Sequence, residues 1–150
     1  MTGLILHCKR FHYHDRRNST KPRGIGDAVA SRPLTAQTYS NAVIILTCIE
    51  SEDTESDIAA AAEHADHMIR EWHRAASTVV VLPFAHLSQD IAKPSTSIPS
   101  LDLFVGHLRI YGHITSLATF GSHKEWMVDV LGYPRATSWF EFRHGQPSLR

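Results

Sequence analysis

The residues best suited to chemistry in this sequence lie within positions 77–95. A continuous apolar run over residues 78–82, rich in β-branched side chains, predicts a strand buried on both faces. Pro83 ends the run because proline cannot donate a hydrogen bond to a sheet, and the chain then carries His86 and Ser88. Polar groups just past a buried strand are held rigidly and still meet solvent, as a binding or catalytic site requires. A core strand followed by an ordinary surface turn gives the same pattern, so both interpretations stay open on pattern alone.

Other groups of polar residues give weaker evidence of chemistry. His12 and His14 would point the same way on a strand, but two histidines without a third ligand do not define a metal site. Glu63, His64 and His67 fall off the apolar stripe of a predicted helix and lack the order of a zinc-protease helix, so we interpret them as a solvated flank. We find no convincing Ser-His-Asp set. We therefore predict neither a metal nor another cofactor.

Hydrophobic periodicity predicts the elements that position these residues. Their order, with two helices among several strands, predicts an α/β fold with a mixed β-sheet and helices packed on it. The first helix should cover about residues 57–75, and its core-facing stripe is Ile58, Ala61, Ala62, Ala65, Met68, Ile69 and Trp72. The second helix should open at Ser97 and Pro99 and end at Gly112. The predicted strands cover about residues 3–8, continuing over 11–14 after an irregularity, then 40–48, 78–82, 114–120, 125–131 and 137–142.

The composition excludes several classes of protein. With 150 residues and 43% hydrophobic content, the chain predicts a single globular domain. No apolar run approaches the roughly 20 residues of a membrane span, and a secretory signal pattern is absent, so we expect a cytoplasmic protein without membrane contact. The formal net charge is zero, which argues against a polyanion-binding surface over the whole chain. Cys8 and Cys48 look like reduced buried thiols, with a disulfide between them as the alternative.

A basic segment interrupts the predicted domain, which spans residues 1–143. Residues 15–39 are polar and rich in Gly, Pro and Ser, so we predict a long loop or hairpin insert. Gly24 and Gly26 lack the rest of a phosphate-binding fingerprint and predict a flexible turn. Lys and Arg side chains here suit contact with RNA phosphates, and a solvated loop is the alternative. Residues 144–150 are polar and predict a tail or linker.

Several stretches together resemble a known family, the N-terminal editing domain of archaeal-type threonyl-tRNA synthetase. The most specific is Pro83-Phe84-Ala85-His86-Leu87-Ser88, followed by Ala92-Lys93-Pro94-Ser95. Shorter similarities are Leu4-Ile5-Leu6-His7, Phe120-Gly121-Ser122-His123-Lys124 and Gly132-Tyr133-Pro134. The resemblance covers most of the chain except the basic insert. It implies a fold like that of D-aminoacyl-tRNA deacylases.

The resemblance also implies an activity, which is hydrolysis of serine wrongly attached to threonine tRNA. It implies that Lys124 stabilises the developing oxyanion, that His86 holds the serine hydroxyl or a water, and that the terminal 2′-hydroxyl of the tRNA shares the work. The implied substrate-binding residues are Pro83, Phe84, Ala85, His123, Gly121, Ser122, His7 and Thr137. The implied tRNA contacts are Arg16, Arg17, Lys21 and Arg23. The implied partners are the acceptor end of threonine tRNA, the catalytic and anticodon-binding parts of the synthetase in cis or in trans, and a second copy in a homodimer.

Two positions depart from the family pattern, and alternatives remain. His123 stands where tyrosine is common, and Thr137 stands where a carboxylate is expected, with Glu141 as a candidate replacement. One alternative is a D-aminoacyl-tRNA deacylase, although that family's Ser-Gln-Phe-Thr and Gly-Pro motifs are not found here. The others are a non-catalytic tRNA-binding module and a cysteine hydrolase that uses Cys8. The sequence leaves open whether the chain is free-standing or part of a longer synthetase.

Overall fold

A computed structural model describes residues 1–16, 24–25, 34–143 and 146–147. The strands are β1 (Thr2–Arg16), β2 (Ala36–Cys48), β3 (Thr78–Pro83), β4 (Thr115–Leu117), β5 (His123–Val130), β6 (Thr137–Arg143) and β7 (Gln146–Pro147). The helices are α1 (Glu55–Trp72) and α2 (Pro94–Ile110), and a 3₁₀ turn covers Ala85–Leu87.

The strands form one mixed sheet in the order β4-β3-β2-β1-β6-β7, and β5 also pairs with β1. β1 runs antiparallel to β2, β5 and β6, whereas β2, β3 and β4 are mutually parallel. α1 makes the crossover between parallel strands β2 and β3, as a parallel pair requires. The predicted α/β fold with a mixed sheet is confirmed.

Both faces of the central sheet are buried. Val79 and Val81 of β3 lie in the core beneath the helices, while Val80 and Leu82 lie in a second apolar cluster on the opposite face. The predicted double-sided burial of this strand is confirmed. Cys8 and Cys48 are both buried and carry free thiols, which decides between the two predicted cysteine states.

The middle of β1 and β2 contains the irregularity predicted between the two halves of the first strand. The register of β1 against β5 shifts by one between Cys8 and Arg10. In β1 the second apolar cluster contains the even-numbered Leu6 and Cys8 before this point and the odd-numbered Phe11 after it. The alternation of buried side chains along the strand therefore shifts by one residue. β2 changes phase opposite this point, where Asn41 has a φ of 50°. The two strands therefore stay paired in one register through the irregularity.

α1 begins two residues earlier and ends three residues earlier than predicted. Thr54 caps its N-terminus and forms a reciprocal capping box with Asp57, which fixes the start. Every member of the predicted stripe is buried except Trp72, which is half-buried. His64 was expected on a solvated flank, and this was wrong. Its ring is half-buried against β6, with its centroid 5.5 Å from that of Phe142.

α2 begins at Pro94, three residues before the predicted cap. Proline suits the first turn of a helix because its missing N–H would be unpaired there, and Lys93 has the extended backbone that precedes proline. Ser97 instead lies within the helix and donates a hydrogen bond to the Ala92 carbonyl oxygen at 3.1 Å. Pro99 lies inside the helix rather than in its first turn.

Other predicted boundaries also differ from the structure. β1 reaches Arg16 and β2 begins at Ala36, so both ends of the predicted insert belong to strands. Within the predicted tail, Gln146–Pro147 pairs with β6. β4 covers only Thr115–Leu117 of the predicted 114–120 strand. No helix among the described residues is long and apolar enough to cross a lipid bilayer.

Candidate functional site

A cavity of about 630 Å³ lies at the carboxyl end of β3. The end of β2, the start of α2 and the beginning of β5 complete its walls. Among the residues that line it are Pro83, Phe84, Ala85, His86, Gly121, Ser122, His123 and Lys124. The structure therefore brings together two segments predicted to form the site, although His86 and Lys124 are 38 positions apart in the chain.

The first wall is the turn that follows β3. Pro83 is still opposite Thr47 of β2, and the Phe84 N–H donates to the Thr47 carbonyl oxygen at 2.8 Å. The chain then turns through the 3₁₀ segment, which leaves His86 exposed. The rings of Phe84 and His86 meet edge to face with centroids 5.4 Å apart. Hydrogen bonding to β2 thus holds the turn, and its imidazole stays accessible.

The second wall is the tight turn that leads into β5. Gly121 has a φ of +78°, a conformation that favours glycine, and a Cβ atom there would lie 2.4 Å from Ile25 Cδ1. The Lys124 side chain is only 9% exposed. Its ammonium donates to the Ser122 hydroxyl at 2.8 Å and to the Thr119 carbonyl oxygen. Lys124 is therefore a held side chain rather than a mobile surface lysine.

A buried carboxylate faces this lysine, and the sequence analysis missed it. Asp15 has no exposed surface, and its Oδ1 lies 3.4 Å from Lys124 Nζ. Burial would raise the pKa of Asp15, but hydrogen bonds from Thr35, Ser122 and Thr119 outweigh burial and lower that pKa. Burial lowers the pKa of Lys124, and the charge of Asp15 opposes part of this effect. The composition of residues 15–39 places Asp15 at the start of the basic insert, whereas the strand alternation that continues beyond Tyr13 predicts its burial.

The mouth of the cavity carries an aromatic surface that the sequence analysis also missed. Trp126 lines the cavity from β5 and is 38% exposed. Its ring centroid lies 5.7 Å from that of Phe84 on the other wall and 6.3 Å from that of Phe11. Side chains two positions apart share one face of a strand. The spacing between Lys124 and Trp126 therefore predicts that Trp126 lies on the same face as the lysine.

The remaining predicted site residues lie elsewhere or outside the described residues. His7 is buried in β1, where Nδ1 meets the Tyr133 hydroxyl and Nε2 lies 3.0 Å from Asn41 Oδ1. Thr137 is exposed opposite Leu6 and, like His7, is not among the residues that line the cavity. Arg16 is exposed and forms an ion pair with Glu125. The other predicted tRNA contacts, Arg17, Lys21 and Arg23, lie outside the described residues.

The candidate replacement for the family carboxylate also lies outside the cavity. Glu141 is buried on β6 opposite Thr2, and its Oε1 lies 3.1 Å from Arg143 Nη2. His12 bonds to Thr38 at 2.8 Å. Within the described residues no group of three or more His, Cys, Asp or Glu side chains is arranged to hold a metal ion.

The cavity contains a positively charged ammonium and several hydrogen-bond donors. It contains no thiol with a lowered pKa among the described residues. Burial raises the pKa of Cys8 to about 12 and that of Cys48 to about 11, so neither is a thiolate near neutral pH. This argues against Cys8 as a nucleophile. Lys124 instead offers a positive charge and His86 a hydrogen-bonding ring, a combination that can stabilise negative charge on an oxygen.

Comparison with known proteins identifies the family to which the sequence is similar. Residues 1–141 match the family model described as the archaea-specific editing domain of threonyl-tRNA synthetase. A threonine–tRNA ligase of Methanoregula boonei is 30% identical over 134 residues, which cover 89% of this chain and 21% of that protein. A threonine–tRNA ligase editing subunit of Aeropyrum pernix is 30% identical over 141 residues, which cover 91% of this chain and 30% of that protein. The chain thus spans less than a third of the length of these curated relatives.

Solved structures support the fold alone. A c-Myc DNA unwinding element binding protein superposes with a TM-score of 0.65 at 12% identity, covering 95% of this chain and 99% of the other. A probable eukaryotic D-amino acid tRNA deacylase superposes with a TM-score of 0.61 at 12% identity, covering 93% and 99%. The curled mixed sheet with two helices is therefore similar to deacylase-type folds.

Proposed function

This chain belongs to the family of archaea-specific editing domains of threonyl-tRNA synthetase, and we propose that it hydrolyses L-serine from mischarged threonine tRNA. The observation that carries the proposal is that His86 and Lys124 reach one cavity from two distant segments. Editing by such a domain is hydrolysis of an aminoacyl-tRNA ester. The cavity offers that ester a buried cation, an accessible imidazole and an apolar wall.

The need for a second pocket follows from the small difference between the two amino acids. Threonine differs from serine by one methyl group, and a group of that size contributes only about 1–3 kcal/mol to discrimination in an apolar pocket. A separate pocket that is too tight for threonine can remove the error. In this proposal the wall formed by Pro83, Phe84 and Ala85 supplies the close contact, because hydrogen bonds to β2 hold its backbone.

Lys124 and His86 divide the chemistry in this mechanism. The Lys124 ammonium stabilises the oxyanion that forms when water attacks the ester carbonyl. His86 orients the serine hydroxyl or the attacking water, since its ring is exposed beside Phe84. The terminal 2′-hydroxyl of the tRNA assists the water, so the protein needs no covalent nucleophile. Gly121, Ser122 and His123 complete the substrate-binding wall.

The acceptor end of the tRNA would approach along the aromatic mouth. Aromatic side chains bind unpaired bases by stacking, which tolerates any base identity. Phe84 and Trp126 offer such a surface next to the cavity. Arg16, at the end of β1, is exposed beside this region and suits contact with a phosphate. His7 and Thr137 lie outside the cavity and have no part in this mechanism.

We propose partners of two kinds. The synthetase that charges threonine tRNA supplies the substrate, with this domain acting in cis or in trans. A second copy of the chain would pair along β5, because among the described residues that strand has β1 as its only neighbour. Its solvent-facing side chains include the exposed Met127, Val128 and Val130. An unpaired apolar edge strand is a template for association.

Deacylation of L-seryl-tRNA tests the proposed function directly, with L-threonyl-tRNA and a D-aminoacyl-tRNA as parallel substrates. We expect the wild type to release serine and to leave threonine attached. Lys124→Met should lower kcat by roughly 100-fold, the usual cost of removing one oxyanion-stabilising group. Lys9→Met is the matched control, since Lys9 is exposed and lies outside the cavity.

Each of the other outcomes would support a different function for this chain. Release of only the D-amino acid would indicate a D-aminoacyl-tRNA deacylase. Binding of tRNA without release of either amino acid would indicate a non-catalytic module. Equal activity of Lys124→Met and Lys9→Met would remove Lys124 from the mechanism.

A further inference from the structure

Asp15 and Lys124 are direct cross-strand partners at the ends of β1 and β5. Residues opposite each other in an antiparallel pair share one face of the sheet. Both side chains here point to the buried side, where Asp15 has no exposed surface and Lys124 is 9% exposed. The distance between Asp15 Oδ1 and Lys124 Nζ is 3.4 Å. A buried charge is therefore matched by a buried countercharge beside the cavity.

The carboxylate itself is fixed from two further sides. Its Oδ2 accepts hydrogen bonds from the Thr35 hydroxyl at 2.7 Å and from the Thr35 N–H at 3.1 Å. Its Oδ1 accepts a hydrogen bond from the Ser122 hydroxyl at 2.8 Å. The same hydroxyl accepts one from Lys124 at 2.8 Å. Ser122 thus bridges the two charges, and the orientation of Asp15 is determined by groups outside the ion pair.

A lysine at this position has a physical need for such a partner. Its side chain is long and flexible, and the charged form is strongly hydrated. Burial disfavours that charged form, so an unpaired ammonium here would lose its proton more readily or turn toward solvent. An opposite charge at short range favours both protonation and a fixed position.

We propose that Asp15 is a positioning residue that holds the protonated Lys124 at the edge of the cavity through a direct ion pair and through Ser122. This inference rests on the proposed function for its catalytic meaning, but the positioning itself can be tested without any substrate. Asp15 does not line the cavity, and in this role it acts only through Lys124.

Other charged groups near the pair bear on its pH dependence. On the neighbouring residues Arg16 and Glu125 form an exposed ion pair with each other. His14 interacts electrostatically with Glu125, and His123 follows the turn directly before Lys124. His86 lies on the other wall of the cavity. The buried Tyr13, two residues before Asp15 on β1, hydrogen-bonds to Thr35 and interacts electrostatically with Asp15.

The first experiment measures the ionisation of Lys124 by NMR. The chain has four lysines, Lys9, Lys21, Lys93 and Lys124, so side-chain signals labelled with ¹³C at Cε are few and Lys124→Met assigns the one of interest. We expect Asp15→Asn to lower the pKa of Lys124 further and to leave those of the other lysines unchanged. Asp66→Asn is the matched control, because Asp66 bonds to Arg70 and His113 and does not line the cavity.

The second experiment measures deacylation of L-seryl-tRNA by the same variants across pH. We expect Asp15→Asn to lower kcat by up to roughly 100-fold, as displacement of a catalytic group by about 1 Å does, with KM nearly unchanged. The alkaline limb of its pH profile should move to lower pH. Ser122→Ala, which keeps both charges and removes the bridge, should fall between wild type and Asp15→Asn.

The outcomes separate this inference from the proposed function. An unchanged pKa of Lys124 in a folded Asp15→Asn variant would overturn the positioning role. If Asp15→Asn does not fold, Asp15→Ser replaces it, and an unchanged pKa of Lys124 in that variant would overturn the role equally. An unchanged kcat in Ser122→Ala would reject the part of the role that acts through Ser122. A lowered pKa in a protein that never releases serine would support the positioning of Lys124 and reject the proposed function instead.

Discussion

Ser88 donates a hydrogen bond of 2.7 Å to Oε1 of Glu50, which joins the turn that carries His86 to the residue just beyond β2. Glu50 is buried, and its other oxygen accepts from the Thr2 hydroxyl at 2.9 Å. Burial would raise the pKa of Glu50, but the hydrogen bonds from Ser88 and Thr2 and the nearby N-terminal ammonium outweigh it and lower that pKa. The charged carboxylate is therefore an anchor for the first wall of the cavity.

Ser88→Ala should loosen this wall. We expect a loss of about 1 kcal/mol in the free energy of unfolding, which is typical of one hydrogen bond, and a lower kcat for seryl-tRNA than the wild type. Urea denaturation and deacylation rates measure the two effects. Ser51→Ala removes a comparable bond to Asp90 between exposed groups and is the control. Equal effects of the two substitutions would show that the bond to Glu50 has no special role in placing His86.

Trp126→Ala tests the aromatic mouth. Loss of one base–aromatic contact costs about 1–3 kcal/mol, so we expect KM for seryl-tRNA to rise about 10-fold and kcat to change less. Trp126→Phe should retain most of the affinity because it keeps a ring. Trp139, on β6, is similarly exposed at 43% and does not line the cavity, so Trp139→Ala is a matched control. A rise in KM that is the same for both alanine variants would contradict the stacking role.

His73 makes stability depend on pH. Its side chain is buried, with Nδ1 2.6 Å from the Tyr133 hydroxyl, and among the described residues Nε2 has no hydrogen-bond partner. Burial, aided by the charge of His7, lowers the pKa of His73 to about 4. Between pH 6.5 and 4 the unfolded chain therefore binds more protons at this residue than the native protein, so stability falls as pH falls.

We expect the low pKa of His73 to reduce the free energy of unfolding by about 2 kcal/mol between pH 7 and pH 5. Urea denaturation at the two pH values measures the change, and His73→Gln should remove most of it. His67→Gln, at an exposed position paired with Glu71, is the control substitution. Asp15 and Glu50, whose pKa values are lowered, lose their contributions in a more acidic range than this one. An identical slope for wild type and His73→Gln would contradict the prediction.

The parts of the site that could be predicted are those encoded locally. The apolar run of β3 and the proline at its end predict the position of the first wall of the cavity. The apolar stripe of α1 predicts that this helix covers one face of the sheet. The parts that were missed depend on pairing between distant segments. Asp15 is meaningful only because β5 returns to lie beside the end of β1.

His7 shows the same limit from the opposite direction. It was expected at the substrate, and the structure instead surrounds it with Asn41, His73 and Tyr133 from three separate segments. A histidine in an apolar strand has the same local pattern in either setting. The predicted start of α2 was also wrong. Pro94 and Pro99 both suit the first turn of a helix, so the local sequence does not decide between them.

The change of phase shared by β1 and β2 has a consequence for how this chain can vary in length. Lys9 is the extra residue of β1 relative to β5, and Asn41 sits opposite it in β2. Deleting Lys9 alone would slide the distal half of β1 by one step along β2 and misalign Phe11 with Tyr39. Deleting Lys9 and Asn41 together would keep every remaining pair. Single-residue gaps in these two strands should therefore be tolerated only as compensating couples, unlike gaps in a surface loop.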